Sequence, residues 1–163
     1  MKARLAAPLR TTLLAVAELM TAAREPWWII AGAAAALHGA MGAVRDVDVL
    51  LGESDASRLL PVLGLSPGPG AASERFRSAM FARWTMPPVE VEFMTGFEVS
   101  TEAGWEPAVF RTRERVEVEG RALFVPEVEE LIGHLRMLGR PEDLARIRLL
   151  GSCLLYTSDA ADE

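Results

Sequence analysis

The sequence predicts an α+β fold, close to the α/β kind, with a mixed sheet of about five strands flanked by helices. Two observations predict it. Short apolar runs that alternate with polar residues, Asp46 to Leu51 and Val89 to Met94, are bounded by glycine and proline and read as strands. Between and around them, apolar residues recur at helical spacing, as in Leu5, Leu9, Leu13, Val16 and Met20.

The elements follow in order. Residues 1 to 23 form an amphipathic first helix; Glu18 interrupts its apolar face and Arg24-Glu25 closes it, so it is not read as a signal peptide. Trp27 to Ile30 is a short buried strand. Gly32 opens a small-residue helix, Ala33 to Ala40, which Gly39 and Gly42 end. Asp46 to Leu51 is the next strand, and Ser54 caps a helix running to about Leu63. Gly64 to Ala72 is a glycine- and proline-rich loop. Arg75 to Thr85 reads as a strand, Pro87-Pro88 as a turn and Val89 to Met94 as a strand. Residues 96–113 show no clear pattern. Arg115 to Val125 is a hairpin turning at Glu119-Gly120. Pro126 begins a helix through Leu138, and a last helix starts near Glu142 after the break at Gly139-Arg140-Pro141.

The chain has 163 residues, half of them hydrophobic and a quarter charged, which suits one globular domain over residues 1–151. Residues 152–163 differ in composition, holding the one cysteine and the one tyrosine, and read as a non-native tail. A single cysteine excludes an internal disulfide and a cysteine-based zinc site. No apolar run reaches membrane-spanning length, and the cytoplasm is the expected location. The net charge of −6 argues against a broad electrostatic grip on nucleic acid.

Asp46 and Asp48 alternate on a strand, so their side chains share a face. Two like charges that close need a counter-charge, and a hard cation such as Mg²⁺ or Mn²⁺ supplies it through oxygen ligands. Glu92 offers a third carboxylate, with Glu90 on the same strand face as the alternative. A solvated acidic sheet face is the competing reading of all four. His38 and His134 read as structural, and Trp27, Trp28, Trp84 and Trp105 as core or rim, with Trp84 a candidate for a pocket wall. Arg111, Arg113 and Arg115 alternate and read as a solvated strand face.

Gly32-Ala33, Leu37-His38-Gly39 and Arg45-Asp46-Val47-Asp48-Val49-Leu50 together resemble the core of the minimal nucleotidyltransferase superfamily, the polymerase-beta-like fold. Val91 to Phe97 and Gly139 to Leu144 extend the resemblance to small bacterial nucleotidyltransferase-like proteins, some of antitoxin type. The resemblance implies an Mg²⁺-dependent nucleotidyltransferase that moves a nucleoside monophosphate from an NTP, ATP by expectation, to a hydroxyl of an unidentified acceptor. The alternative it implies is a catalytically weak binding module with a protein partner. Asp46, Asp48 and Glu92 would be the catalytic, metal-holding acids. Gly32, Ala33, Arg45 and Arg140 would contact the nucleotide. Two positions depart from the family pattern: Ala33 stands where serine or glycine is usual, and Glu142 where lysine is frequent.

Overall fold

A computed structural model describes residues 4–70 and 73–161, and the side chains through residue 152. The ends of three expected segments (residues 1–3 of the first helix, 71 and 72 of the loop, 162 and 163 of the tail) lie outside the described residues.

The chain begins with α1 (Ala7–Met20), shorter than expected and opened by Pro8, whose missing N–H costs nothing in a first turn. Its buried stripe is Leu9, Thr12, Leu13, Val16, Ala17 and Met20. Thr12 is the polar member, and both its roles are filled: its hydroxyl donates to Pro8 O at 2.9 Å and accepts from Val89 N at 3.0 Å. That second bond fastens α1 to the start of a central strand.

Strand β1 (Trp28–Ile30) runs directly into α2 (Ala31–Leu37), so the helix starts two residues before the expected Ala33. Ala31 makes the sharp junction with φ +54°. All seven α2 residues are buried. Their small side chains allow the backbone to lie close to β1 and β2 (Asp46–Leu50) and to α4 (Val128–Leu138) and α5 (Pro141–Ala161) at once. The cap residue His38 closes α2 by pairing its Nε2 with Pro126 O at 2.7 Å. His38 is therefore a connector between α2 and the entry to α4. Pro126, expected from sequence to begin that helix, lies before it, and Glu127 is the N-cap.

Between β2 and the middle of the chain lies α3 (Glu53–Leu59), which tightens into a 3-10 turn over Leu60–Leu63 where Pro61 removes a donor. The cap is Gly52, not Ser54. The loop that follows carries β3 (Gly68–Pro69). The strand expected over residues 75–85 is two strands in different sheets, β4 (Phe76–Arg77) and β5 (Met80–Trp84), with the chain changing sheets at Ser78-Ala79. β6 (Glu90–Thr95) follows, and the segment without a sequence pattern contains β7 (Glu98–Thr101) and β8 (Gly104–Pro107). The hairpin β9 (Glu114–Val118) and β10 (Arg121–Val125) turns at Glu119-Gly120 as expected. Helix α5 continues to Ala161, through most of the segment whose composition sets it apart.

The main sheet is five-stranded and mixed, in the order β1-β2-β6-β5-β3, with β2 and β6 parallel and the other pairs antiparallel. Val47, Val49, Val91 and Phe93 are fully buried at the centre of the core. Their alternation fixes the register, because a one-residue slip would exchange them for four acids. A three-stranded sheet, β4-β7-β8, and the β9–β10 hairpin complete the structure. Arg111 and Arg113 fall in the irregular segment 108–113 rather than on a strand face. Arg113 donates to Trp27 O and stacks on Phe124, 3.5 Å from the ring centroid. No helix of the described residues is long and apolar enough to cross a membrane.

The hairpin yields a test. Both turn residues have positive φ, +49° at Glu119 and +78° at Gly120, the geometry of a two-residue turn that favours asparagine before glycine. Glu119→Asn should stabilise the protein by about 0.5 kcal/mol, since asparagine tolerates this region better than glutamate. The exposed Arg10–Glu119 pair it removes, at 3.5 Å, is worth less. Urea unfolding of both proteins checks the sign.

Candidate active site

The parallel pairing of β2 with β6 sets Asp46 opposite Glu90 and Asp48 opposite Glu92. In-register partners share a face, so all four carboxylates stand together on the side of the sheet away from Val47, Val49, Val91 and Phe93. Glu90 and Glu92 are thus neighbours in one group and not alternatives. Carboxylate oxygens of Asp46, Glu90 and Glu92 lie within 4.8 Å of one another. Asp48 sits beside them, in register with Glu92.

Their electrostatics are those of an under-neutralised cluster. Burial and the charges of Asp46 and Glu92 push the Asp48 carboxyl well above the usual carboxylate range, while Arg140 pulls it back. Glu92 is raised by burial and by Asp46, against the lowering effect of its bond with Asp48 and of Arg83. Both carboxyls therefore keep a proton to higher pH than isolated carboxylates do. The donor set is all carboxylate oxygen, convergent and short of positive charge. It fits a hard divalent cation such as Mg²⁺ or Mn²⁺.

Sequence reading did not single out two arginines, Arg83, which borders the acids, and Arg146, which packs on Gly32. Arg83, in register with Glu92 on β5, lies 3.3 Å from Glu90 and 3.5 Å from Glu92. Nothing in the local sequence marks it; its place depends on which strands pair. Arg146 lies over Gly32 so closely that a Cβ there would come within 2.7 Å of its guanidinium. It also bonds to Ala43 O at 3.3 Å and to Asp143 at 3.4 Å. The helical spacing of Arg140, Asp143 and Arg146 was the available signal.

Asp143 is fully buried and accepts from Arg140 N, Nε and Nη2 at 3.1, 2.7 and 3.1 Å. That network holds Arg140 at the mouth of the acidic face, and the bond to Asp143 raises its pKa further. Ala33 is buried within α2. Arg45 projects into solvent, 85 % exposed, and meets Glu142 at 3.6 Å. Glu142 also approaches Arg140 at 3.7 Å, so this acid is paired on two sides. Trp84 lies on the other face, tilted against Phe93 at 6.3 Å, and is not a wall of the acidic cleft.

A cavity of about 160 Å³ opens beside Asp48 and Glu92 and is bounded by Phe76, Phe81, Met94, Phe97 and His134. A larger cleft of about 590 Å³, beside α1 and β10, has Glu25 as its one acid among the described residues. The paired acids stand beside the smaller cavity.

No family model and no curated protein sequence matches the chain. Solved structures do. The Thermotoga maritima nucleotidyltransferase candidate TM1012 is similar with a TM-score of 0.67 and 22 % identity, over 84 % of this chain and 88 % of that one. ANT(2'')-Ia in complex with adenylyl-2''-tobramycin aligns with a TM-score of 0.57 and 13 % identity, over 89 % of each chain. The lincosamide antibiotic adenylyltransferase LnuA, lincomycin-bound, aligns with a TM-score of 0.57 and 13 % identity, over 86 % of this chain and 95 % of that one. The chain has the fold of these proteins.

The geometry predicts two ion-binding results. Arg83→Gln removes the cation that competes for Glu90 and Glu92, so Mg²⁺ should bind about two- to fivefold more tightly, the range expected of an exposed ion pair. Isothermal titration with MgCl₂ reads this; weaker binding by the variant would contradict it. The second concerns pH. A carboxyl whose pKa is raised by folding favours the folded state while protonated, and that contribution is lost as pH rises through the raised pKa. Because an arriving ion binds the ionised carboxylates, the rise in melting temperature on adding Mg²⁺ should grow as pH rises through the raised carboxyl range.

Proposed function

We propose that this chain, whose fold is that of the nucleotidyltransferases, transfers a nucleoside monophosphate from an NTP, ATP first among them, to a hydroxyl group of an acceptor. The observation that carries the reading is the β2–β6 register, with Asp46 and Asp48 beside Glu90 and Glu92 on one face next to a cavity. The similarity to adenylyltransferase structures supports it.

Asp46, Asp48, Glu90 and Glu92 would hold Mg²⁺ or Mn²⁺ between them. When bound, the ion neutralises triphosphate oxygens and favours loss of pyrophosphate. The remaining work falls to side chains. The acceptor oxygen forms a bond to the α-phosphorus as the bond from that phosphorus to the bridging oxygen breaks, releasing pyrophosphate. Glu92, with its raised pKa, is the better placed carboxylate to take the hydroxyl proton. Arg140 and Arg146, held by the buried Asp143, supply fixed positive charge toward the leaving pyrophosphate. Gly32 leaves room for the Arg146 guanidinium that any larger residue would displace. Arg45, paired and exposed, has the least to contribute, and Ala33 offers no side-chain donor.

The reading is tested by titrating Mg²⁺-ATP into the protein and by following label from α-labelled ATP onto candidate acceptors. Wild type should bind Mg²⁺-ATP, and Asp48→Asn should lose that binding. Glu92→Gln should bind nucleotide but slow transfer about a hundredfold or more, the loss expected of a missing proton acceptor. A wild type that binds neither metal nor nucleotide would move the chain to the other reading, a binding module that keeps the fold without the reaction.

A further inference from the structure

The cavity beside the acids has a composition of its own. Met94 is two residues beyond Glu92 on β6, and Phe81 is its partner on β5, so the floor turns from acidic to apolar within one step along the sheet. Phe76 and Phe97 form a wall, their rings 5.9 Å apart and tilted by 32°. The far end is His134, 5 % exposed, meeting Phe97 and Phe110 edge-on at 6.4 and 5.0 Å. Its Nε2 is buried without a hydrogen-bond partner among the described residues. Burial lowers its pKa to about 4, so the ring is neutral and can donate or accept. An unsatisfied buried imidazole nitrogen at the end of an aromatic slot is a recognition group without its ligand.

We infer that this cavity is the acceptor subsite and takes a compact aromatic alcohol, one the size of a phenol, whose ring lies among Phe76, Phe81 and Phe97. This rests on the transfer reading given above. The volume, about 160 Å³, is close to that of engineered apolar cavities of about 150 Å³ that bind benzene. A nucleobase is a poorer occupant. It brings several ring nitrogens and exocyclic groups, and one imidazole leaves most of them buried without partners. A polycationic acceptor is poorer still, because Arg77, fixed by Glu98 at 2.8 Å and stacked on Trp105, and Arg140 stand at the rim. An aromatic alcohol satisfies both ends. Its ring fills the apolar body, its substituents reach His134, and its hydroxyl lies toward Glu92. There the phenolic oxygen bonds to the α-phosphorus as pyrophosphate departs, and the phenolic proton passes to Glu92.

The test uses 4-fluorophenol and fluorobenzene as probes, observed by fluorine NMR against the full chain. Wild type should bind both, the phenol about tenfold more tightly, the equivalent of one good hydrogen bond. Glu92→Leu should erase that preference, because the hydroxyl faces Glu92, while keeping fluorobenzene binding. Phe81→Trp, which fills the slot from a partly exposed strand position, should weaken both probes at unchanged melting temperature. Equal binding by wild type and Phe81→Trp overturns the inference. So does a Phe81→Trp variant that loses Mg²⁺-ATP and not the phenol, since the slot then holds the base. Transfer of label from α-labelled ATP to another class of acceptor, with the phenol ignored, overturns it and leaves the transfer reading intact. Phenol binding as expected with no Mg²⁺-ATP binding overturns the transfer reading and the acceptor role together, leaving a ring-binding cavity.

Discussion

Four carboxylates on two adjacent parallel strands repel one another, and the rest of the molecule is arranged around holding them there. The register that brings Asp46 to Glu90 and Asp48 to Glu92 is enforced from behind. Val47, Val49, Val91 and Phe93 occupy the opposite face and are wholly excluded from water. Sliding either strand by one residue would expose those side chains and bury acids instead. Hydrophobic burial on one side thus sustains an electrostatic strain on the other, and the raised Asp48 and Glu92 carboxyls are the mark of that strain.

What lies over the acids depends on α2. A helix of alanine and glycine is thin, and its thinness allows α4 and α5 to approach the sheet edge. α4 brings His134 to the cleft, and the turn between α4 and α5 brings Arg140. Their positions are not left to solvent-exposed contacts. Asp143, with no exposure at all, gathers Arg140 and Arg146, and the α2 cap residue His38 anchors the chain just before α4 at Pro126. The positive left-handed angle at Ala31 belongs to the same compaction, since strand and helix meet there with no intervening loop.

Much of the fold was legible in the sequence because it depends on local alternation. The strands that carry Asp46, Asp48, Glu90 and Glu92, the hairpin at Glu119-Gly120 and the helix ending at Leu138 all follow from period and turn residues. The failures have a common cause. Phe76-Arg77 and Met80 to Trp84 look continuous in the chain but pair with different strands, and only those partners separate them. Residues 96–113 lacked a pattern because β7 and β8 are short and half-exposed. Within the candidate site, the acids were visible from spacing, whereas Arg83 is brought to Glu92 by antiparallel pairing with β6 and Arg146 to Gly32 by helix packing. Both are products of tertiary structure that no single segment encodes. Arg45 stands next to the motif in sequence yet points to solvent, a reminder that adjacency along the chain is not adjacency in space.

Arg83 has one consequence beyond the site itself. By leaning across Glu90 and Glu92, it gives the acids a counter-ion that belongs to the polypeptide. In small domains built around a structural ion, chelation unfolds the chain because ion binding and folding are one equilibrium. Here the two are separated. The fold carries its own partial neutralisation, and on the proposed reading an incoming ion would exchange with a guanidinium already present. On the proposed reading, scarcity of divalent ions would silence the molecule without removing it, and its abundance would not track ion supply.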